Sequence, residues 1–156
     1  MLKTYRYPKY EYRRPPEMDS AASSRRPVIV VGAGPVGMSA AIDLSQHGVP
    51  VVVLDDDDTV SIGSRGVCYA KRALEIFDRL GVGDAVCDKG VSWNVGRTFF
   101  GEREVYSFNL RPQPDHKRPG MINLQQYYLE EMLVGRCGQA GVEIRWKNKG
   151  VGVRDS

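Results

Sequence analysis

Two short apolar runs, separated by a helical pattern, begin near residue 28 of the sequence. "VIVV" at residues 28–31 and "VVVL" at residues 51–54 are rich in β-branched residues and lack polar alternation, which is typical of buried strands in a parallel sheet covered on both faces. Residues 35–47 between them predict a helix whose inward face contains Ala40, Ala41 and Leu44. This order of elements predicts a right-handed βαβ unit.

The middle of the chain predicts a further helix and a hairpin. "AKRALEIFDRLG" at residues 70–81 repeats apolar residues at helical spacing. "NVGRTFF" at residues 94–100 and "REVYSFNL" at residues 103–110 predict two strands joined by a two-residue turn at Gly101–Glu102. The alternation of their aromatic residues favours positions in a core over contacts with a substrate.

The last part of the chain predicts one more helix and one more strand. "NLQQYYLEEMLVGRC" at residues 123–137 has helical spacing, and "VEIRW" at residues 142–146 is typical of a strand. We expect Asn123 to be the N-cap of the helix, with Gln126 at the spacing of a capping box.

A glycine-rich turn joins the first predicted strand to the first predicted helix. Gly32 allows a tight turn, Gly34 leaves room for a pyrophosphate beside the backbone, and Gly37 lets the helix and strand pack closely. The helix start then offers backbone N–H groups to phosphate. Asp55 lies 18 residues after Gly37, at the end of the second strand, where a carboxylate can accept hydrogen bonds from an adenosine ribose. These features together predict dinucleotide binding.

Three more aspartates, Asp56, Asp57 and Asp58, extend the acidic run after the second strand. We interpret them as solvated loop charges and expect no metal site, because adjacent carboxylates diverge and no partner ligands are evident. The run argues against NADP here, since an adenosine 2′-phosphate would meet negative charge.

The net charge of +3 is unevenly distributed. Residues 1–26 carry seven basic and three acidic groups, so this segment contributes +4 and the remainder −1. Basic residues interleaved with tyrosines can bind RNA, but the globular part offers no basic face, so we expect no nucleic-acid partner. The alternatives are a flexible basic leader, with the domain starting at residue 27, and an arm laid over its own domain.

Neither a metal centre nor a membrane segment is expected. The three cysteines are widely spaced and form no CxxC pair, so we interpret them as reduced thiols. No apolar run is long enough to span a bilayer, and the first residues lack the apolar block of a signal peptide. We therefore expect a cytoplasmic protein.

Three segments in this order resemble the N-terminal part of a flavoprotein family. They are "VGAGPVGMSAAIDLSQHGVPVVVLDDDD", "GSRGVCYAKRALEIFDRLG" and "NLQQYYLEEML". The family is that of FAD-dependent aromatic hydroxylases similar to para-hydroxybenzoate and 3-(3-hydroxyphenyl)propionate hydroxylases. The resemblance covers about residues 27–150 and implies an α/β fold, a Rossmann-like FAD-binding domain of the glutathione-reductase type. It further implies that this domain is incomplete and that the hairpin at residues 92–110 extends toward a substrate domain.

The resemblance also implies the cofactor-binding residues. Those matching the pyrophosphate turn are Gly32, Ala33, Gly34, Pro35, Val36 and Gly37. Asp55 stands where the family usually has a glutamate. Arg65 in "GSRG" matches an arginine that lies against the flavin dinucleotide, and Gln126 in "QYYLE" matches a glutamine near the phosphates and ribityl chain. The alternatives are that Arg65 is an ordinary loop cation and that Gln126 serves only as a capping-box residue.

By this resemblance the protein binds FAD, takes electrons from NADPH or NADH, and transfers an oxygen atom from O₂ to a small phenolic substrate. No catalytic acid or base is identified. The alternatives are another FAD-dependent oxidoreductase (an epoxidase, halogenase or reductase), a non-catalytic dinucleotide-binding fragment, and an NAD-dependent dehydrogenase.

The family pattern has two further cofactor-contacting segments that this sequence lacks. We therefore expect the chain to be the N-terminal portion of a longer enzyme, with its C-terminal part missing. On this expectation the chain binds at most the adenosine half of FAD, and an apolar sheet face and edge lie exposed. The substrate, the preferred nicotinamide and the oligomeric state are left open.

Overall fold

A computed structural model describes residues 5–19, 25–63, 65–111 and 114–153. These residues form two compact units, one comprising Met1–Ser64 with Tyr127–Ser156 and the other Arg65–Gln126. The structure is mixed α/β, as expected from the sequence. In the described ranges no helix is long and apolar enough to cross a membrane.

A parallel three-stranded sheet forms the centre of the first unit. Its strand order is β1 (Val28–Val31), β2 (Val51–Leu54) and β8 (Glu143–Arg145). The helix α1 (Pro35–Gln46) joins β1 to β2 and confirms the predicted βαβ unit. The helix α4 (Gln126–Gln139), which belongs to this unit from Tyr127 onward, precedes β8. A short 3-10 helix, Pro16–Met18, lies in the N-terminal segment.

The burial of this sheet differs from the expectation in one respect. β2 is buried and lies in the centre of the sheet, whereas β1 is an edge strand whose side chains on one face, Ile29 and Val31, are 54% and 72% exposed. The prediction that β1 is covered on both faces is therefore wrong for the described residues. The expected exposure of an apolar sheet edge is confirmed at the same strand.

The inward face of α1 is also rotated relative to the prediction. Met38, Ala41 and Ile42 are its buried residues, whereas Ala40 is exposed. The buried positions follow the i, i+3, i+4 spacing of a helix face. The sequence predicts that both Ala40 and Ala41 face inward, but only Ala41 is buried.

The second unit contains a small antiparallel sheet with the strand order β3 (Cys68–Ala70), β7 (Met121–Asn123) and β4 (Val91–Trp93). Two helices, α2 (Lys71–Leu80) and α3 (Gly83–Lys89), lie between β3 and β4 in the chain. The sequence predicted α2 but none of these three strands and not α3. Strands of three residues are too short to show a periodic pattern.

Asn123 is the last residue of β7 and not a helix N-cap. Its side-chain Oδ1 accepts hydrogen bonds from Trp93 Nε1 at 2.8 Å and from Cys68 Sγ at 3.2 Å. The helix α4 begins later, at Gln126. The predicted capping box is therefore wrong, because Asn123 joins the three strands of this sheet instead.

The predicted hairpin is confirmed, and its turn lies where the sequence placed it. β5 (Val95–Phe100) pairs with β6 (Arg103–Asn109), and Phe100 lies opposite Arg103 across the turn. All residues of β6 are exposed, and Phe100 is 77% exposed. The prediction that its aromatic side chains lie in a core is therefore wrong for the described residues.

A buried arginine joins α2 to α3. Arg118 is only 7% exposed. Its Nε donates to Asp78 Oδ2 at 2.6 Å, and an Nη donates to Asp84 Oδ1 at 2.5 Å. The Arg118 guanidinium lowers the pKa of Asp78 to about 2. Because the folded state holds this carboxyl ionised, the pair stabilises the fold above the ordinary pKa of an aspartate.

We predict that Asp78→Asn lowers the free energy of unfolding at pH 7 by about 2 kcal/mol, because Arg118 holds the pKa of this carboxyl at about 2, well below its ordinary value. A carboxyl whose pKa is depressed in the folded state stabilises the fold less and less as the pH falls toward that pKa. The difference between the two proteins should therefore shrink from pH 4 to pH 2. Urea unfolding followed by circular dichroism at several pH values measures this difference in the free energy of unfolding. A difference that stays constant to pH 2 would contradict this account of the arginine cluster.

Candidate dinucleotide-binding site

Only three residues, Gly32 to Gly34, separate the end of β1 from the start of α1. Gly32 has φ +106°, a backbone conformation that residues with a side chain rarely adopt. Its N–H donates to the Leu54 carbonyl oxygen at 2.7 Å, which ties the turn to the end of β2. The glycine therefore makes the abrupt change from strand to helix possible.

Gly37 lies where α1 passes closest to β1. A Cβ at Gly37 would collide with the Gly32 carbonyl oxygen and lie 3.1 Å from Val30 Cγ1. Both neighbours belong to the strand and turn, so the backbone itself would have to move. Close packing of helix on strand is the role that the sequence predicts for this glycine.

Gly34 faces open space. A Cβ built on it meets no protein atom within 4 Å, and its φ of −80° suits any residue. It lies on the rim of an open cleft of about 450 Å³ lined by Val30, Val31, Gly32, Gly34, Pro35, Val36, Gly37 and Ala40. The cleft thus runs along the backbone of the turn, where a flat or extended ligand can approach it.

The start of α1 carries no side-chain cap. The first N–H groups of a helix have no partner within the helix, and they form the positive end of its dipole. Val36 in this first turn is 85% exposed. Backbone donors beside an open cleft fit a phosphate or pyrophosphate group.

Asp55 is bonded to the glycine turn itself. Its Oδ2 accepts a hydrogen bond from the Ala33 N–H at 2.5 Å, and its Oδ1 accepts one from the Asp57 N–H at 2.8 Å. Each carboxylate oxygen has a further lone pair and can still accept a ribose hydroxyl. The carboxylate therefore both orders the turn and lies at the position that the sequence predicts for ribose binding.

A segment that the sequence reasoning missed lies beside this carboxylate. A second cleft, of about 170 Å³, is lined by Val31, Gly32, Leu54, Asp55, Asp56, Asn148, Lys149 and Gly150. The Asn148 N–H donates to the Asp55 carbonyl oxygen at 2.7 Å. Residues 148–150 follow β8, which pairs with β2, and this pairing of distant segments leaves no local signal in the sequence.

The acidic residues after Asp55 differ in their surroundings. Asp56 and Asp57 are exposed, as expected. Asp58 is paired with Lys9 at 2.6 Å and with Lys147 at 3.1 Å, and the bond from Lys9 lowers the pKa of Asp58. Asp58 is therefore a loop charge that is partly exposed to solvent and paired with two lysines. No cluster of three or more His, Cys, Asp or Glu residues suited to a metal ion occurs in the part of the chain that the structure describes.

Arg65 and Gln126 both belong to the second unit. Arg65 is exposed and Gln126 is half-buried at the first position of α4. Gln126 Oε1 lies 3.4 Å from the position of a Cβ built on Gly66. The second unit thus brings Gln126 next to Gly66, the neighbour of Arg65, and the cofactor roles of Arg65 and Gln126 stay predictions.

A family described as an FAD binding domain matches residues 25–156 of the chain. The chain belongs to this family. This FAD-binding domain is 29% identical over 133 residues to a flavin-dependent monooxygenase from Mycobacteroides abscessus, with 80% of the chain and 28% of the relative covered. It is 32% identical over 131 residues to a 3-(3-hydroxy-phenyl)propionate/3-hydroxycinnamic acid hydroxylase from Mycobacterium avium. This match covers 82% of the chain and 22% of that relative. The chain therefore spans about a quarter of the length of these curated relatives.

Solved structures agree with this assignment. A p-nitrophenol 4-monooxygenase from Pseudomonas putida matches this FAD-binding domain with a TM-score of 0.77 and 29% identity, covering 84% of this chain and 34% of that one. A Diels-Alderase from the biosynthetic pathway of pyrroindomycins matches with a TM-score of 0.67 and 27% identity, covering 83% of this chain and 27% of that one. The predicted fold and the predicted family are thereby confirmed.

Gly34 in the turn and Gly37 in α1 should respond differently to an added methyl group. We predict that Gly37→Ala lowers the free energy of unfolding by about 1–3 kcal/mol, because the new Cβ collides with backbone. Gly34→Ala should change it by about 0.5 kcal/mol or less, since its Cβ meets nothing. Urea unfolding of the two variants measures both values. Equal destabilisation by the two substitutions would contradict the packing described for Gly37.

Proposed function

We propose that this chain supplies the FAD-binding portion of a flavin-dependent monooxygenase that hydroxylates a small phenolic compound with electrons from NADPH or NADH. The observation that carries the proposal is the uncapped start of α1 beside the open cleft at Gly34. The family match to an FAD binding domain supports the choice of dinucleotide. The names of the relatives support the reaction class.

The residues of the first unit divide the binding of FAD between them. Gly34 lets the pyrophosphate approach the backbone, and the first-turn N–H groups at Val36 and Gly37 donate to its oxygens. Asp55 accepts hydrogen bonds from the ribose hydroxyls of the adenosine half. In the longer enzyme, Arg65 lies against the flavin dinucleotide and Gln126 lies near its phosphates and ribityl chain.

FAD, when bound, supplies the redox chemistry by which electrons from a nicotinamide reach O₂. The protein binds the cofactor, orients it and keeps water away from the reacting atoms. The relatives that carry out hydroxylation are about four times as long as the matched segment. We therefore propose hydroxylation for an enzyme that contains this chain, and binding of the adenosine half of FAD for the 156 residues themselves. The cytoplasmic location, the lack of a nucleic-acid partner and the boundary at residue 27 stay predictions.

The fold alone does not decide the reaction. A Diels-Alderase is among the solved structures that this chain resembles, so a role of FAD other than oxygen transfer is the second candidate. Oxidation of NADPH or NADH that depends on both O₂ and a phenol, in an enzyme containing this chain, distinguishes the first candidate from the second.

The variant Gly34→Val tests the binding site directly. The extended backbone at Gly34 suits valine, and no protein atom lies within 4 Å of a Cβ built there. The fold should therefore persist, while the branched side chain occupies the space of the pyrophosphate. We predict that the dissociation constant for FAD, measured by quenching of flavin fluorescence, rises at least about tenfold. An unchanged constant in a folded Gly34→Val protein would refute this site.

A further inference from the structure

The segment of residues 5–14, here called the N-terminal arm, contacts the segment of residues 55–61, here called the acidic loop. The Tyr10 N–H donates to the Asp58 carbonyl oxygen at 2.8 Å. Lys9 Nζ donates to Asp58 Oδ1 at 2.6 Å, and Thr59 Oγ1 donates to the Pro8 carbonyl oxygen at 2.6 Å. The N-terminal arm is therefore bonded to the acidic loop through both backbone and side chains, as in the second of the two interpretations of the basic segment. Residues 1–4 and 20–24 of that segment lie outside the described residues.

Aromatic contacts anchor the N-terminal arm on both sides of these bonds. The ring of Tyr10 stacks on the buried Trp146, with centroids 4.3 Å apart and an interplanar angle of 11°. Tyr5 stacks on Tyr127 at 4.2 Å, and its hydroxyl donates to Glu131 Oε2 at 2.8 Å. Stacked aromatic pairs add stabilisation beyond the area that they bury. The N-terminal arm is thus fixed to the same unit that carries the acidic loop.

The acidic loop leads directly to the glycine turn. The N–H of Asp57, the neighbour of Asp58, donates to Asp55 Oδ1, and Asp55 Oδ2 accepts from the Ala33 N–H. The N–H of Lys147, a residue that follows β8, donates to the Asp57 carbonyl oxygen at 3.0 Å. A continuous chain of bonds therefore runs from the N-terminal arm to the carboxylate and on to the turn.

We propose that the N-terminal arm is a positioning element for the Asp55 carboxylate, acting through Asp58 and Thr59 on the affinity for the adenosine half of FAD. The inference rests on the proposed role of Asp55 in ribose binding. A carboxylate binds two ribose hydroxyls well only when both of its oxygens are held in place. Lys9 and the Pro8 carbonyl oxygen bind Asp58 and Thr59 of the acidic loop, and Lys147, which follows β8, binds Asp58 and Asp57. Two separate segments of the chain therefore restrain the loop.

The double variant Lys9→Ala/Thr59→Val tests the proposal in the full chain. It removes the ion pair and the buried hydroxyl, and valine has nearly the shape of threonine. We expect the dissociation constant for FAD, measured by quenching of flavin fluorescence, to rise about three- to tenfold. The conservative variant Lys9→Arg/Thr59→Ser keeps both donors and should restore the affinity. Arg6→Ala removes an exposed cation of the same arm and should change the constant less than about twofold, which controls for the loss of positive charge.

A double-mutant cycle with Asp55→Ala separates positioning from general stabilisation. If the N-terminal arm acts through Asp55, the double variant should weaken FAD binding less than about twofold in the Asp55→Ala background. The same loss in both backgrounds, or no loss in the wild-type background, would overturn the inference. If Asp55→Ala itself leaves FAD binding unchanged, the proposed ribose contact fails, and the inference fails with it. Thermal melting of every variant confirms that the compared proteins are folded.

Discussion

The close approach of α1 to β1 is the constraint on which the site depends. No side chain stands between Gly37 and the Gly32 carbonyl oxygen, and a Cβ there would collide with it. This close approach allows the helix to begin after a connection of only three residues. Its uncapped first turn therefore lies at the carboxyl edge of the parallel sheet. The carboxyl ends of parallel strands are where α/β folds bind their ligands. The same short connection brings Ala33 within hydrogen-bond distance of Asp55 at the end of β2.

Ion pairs stabilise the loop that follows β2, next to the glycine turn. The basic N-terminal segment and the acidic residues after β2 lie far apart in the sequence, yet Lys9 and Lys147 both pair with Asp58. The partly exposed ion pairs contribute little stability by themselves. Their effect is to fix the path of the loop that carries Asp55, together with the buried Thr59 hydroxyl. Lys9, one of the basic residues of the N-terminal segment, thereby acquires a structural role.

The glycine turn, Asp55 and the first two strands could be predicted because their signals are local. Gly32 and Gly37 are required by backbone geometry, and β-branched runs mark the parallel strands. The small sheet of the second unit could not be predicted, since its strands have three residues each and Asn123 resembles a helix cap. Alternation in the hairpin indicates that one face is apolar but says nothing about what covers it. The partners of Asp58 and the segment at Asn148 come from distant parts of the chain and leave no local pattern.

A titration of the ¹⁵N-labelled protein with FAD, followed by amide chemical shifts, tests the central claim most directly. The backbone N–H groups of the first turn of α1 are the proposed pyrophosphate donors, and the carboxylate bonded to Ala33 is the proposed ribose acceptor. The account predicts that the largest shift changes fall at Gly34, Val36 and Gly37, with a second group at Asp55 and Asp57. Saturating changes centred elsewhere in the chain, with these amides unmoved, would contradict it.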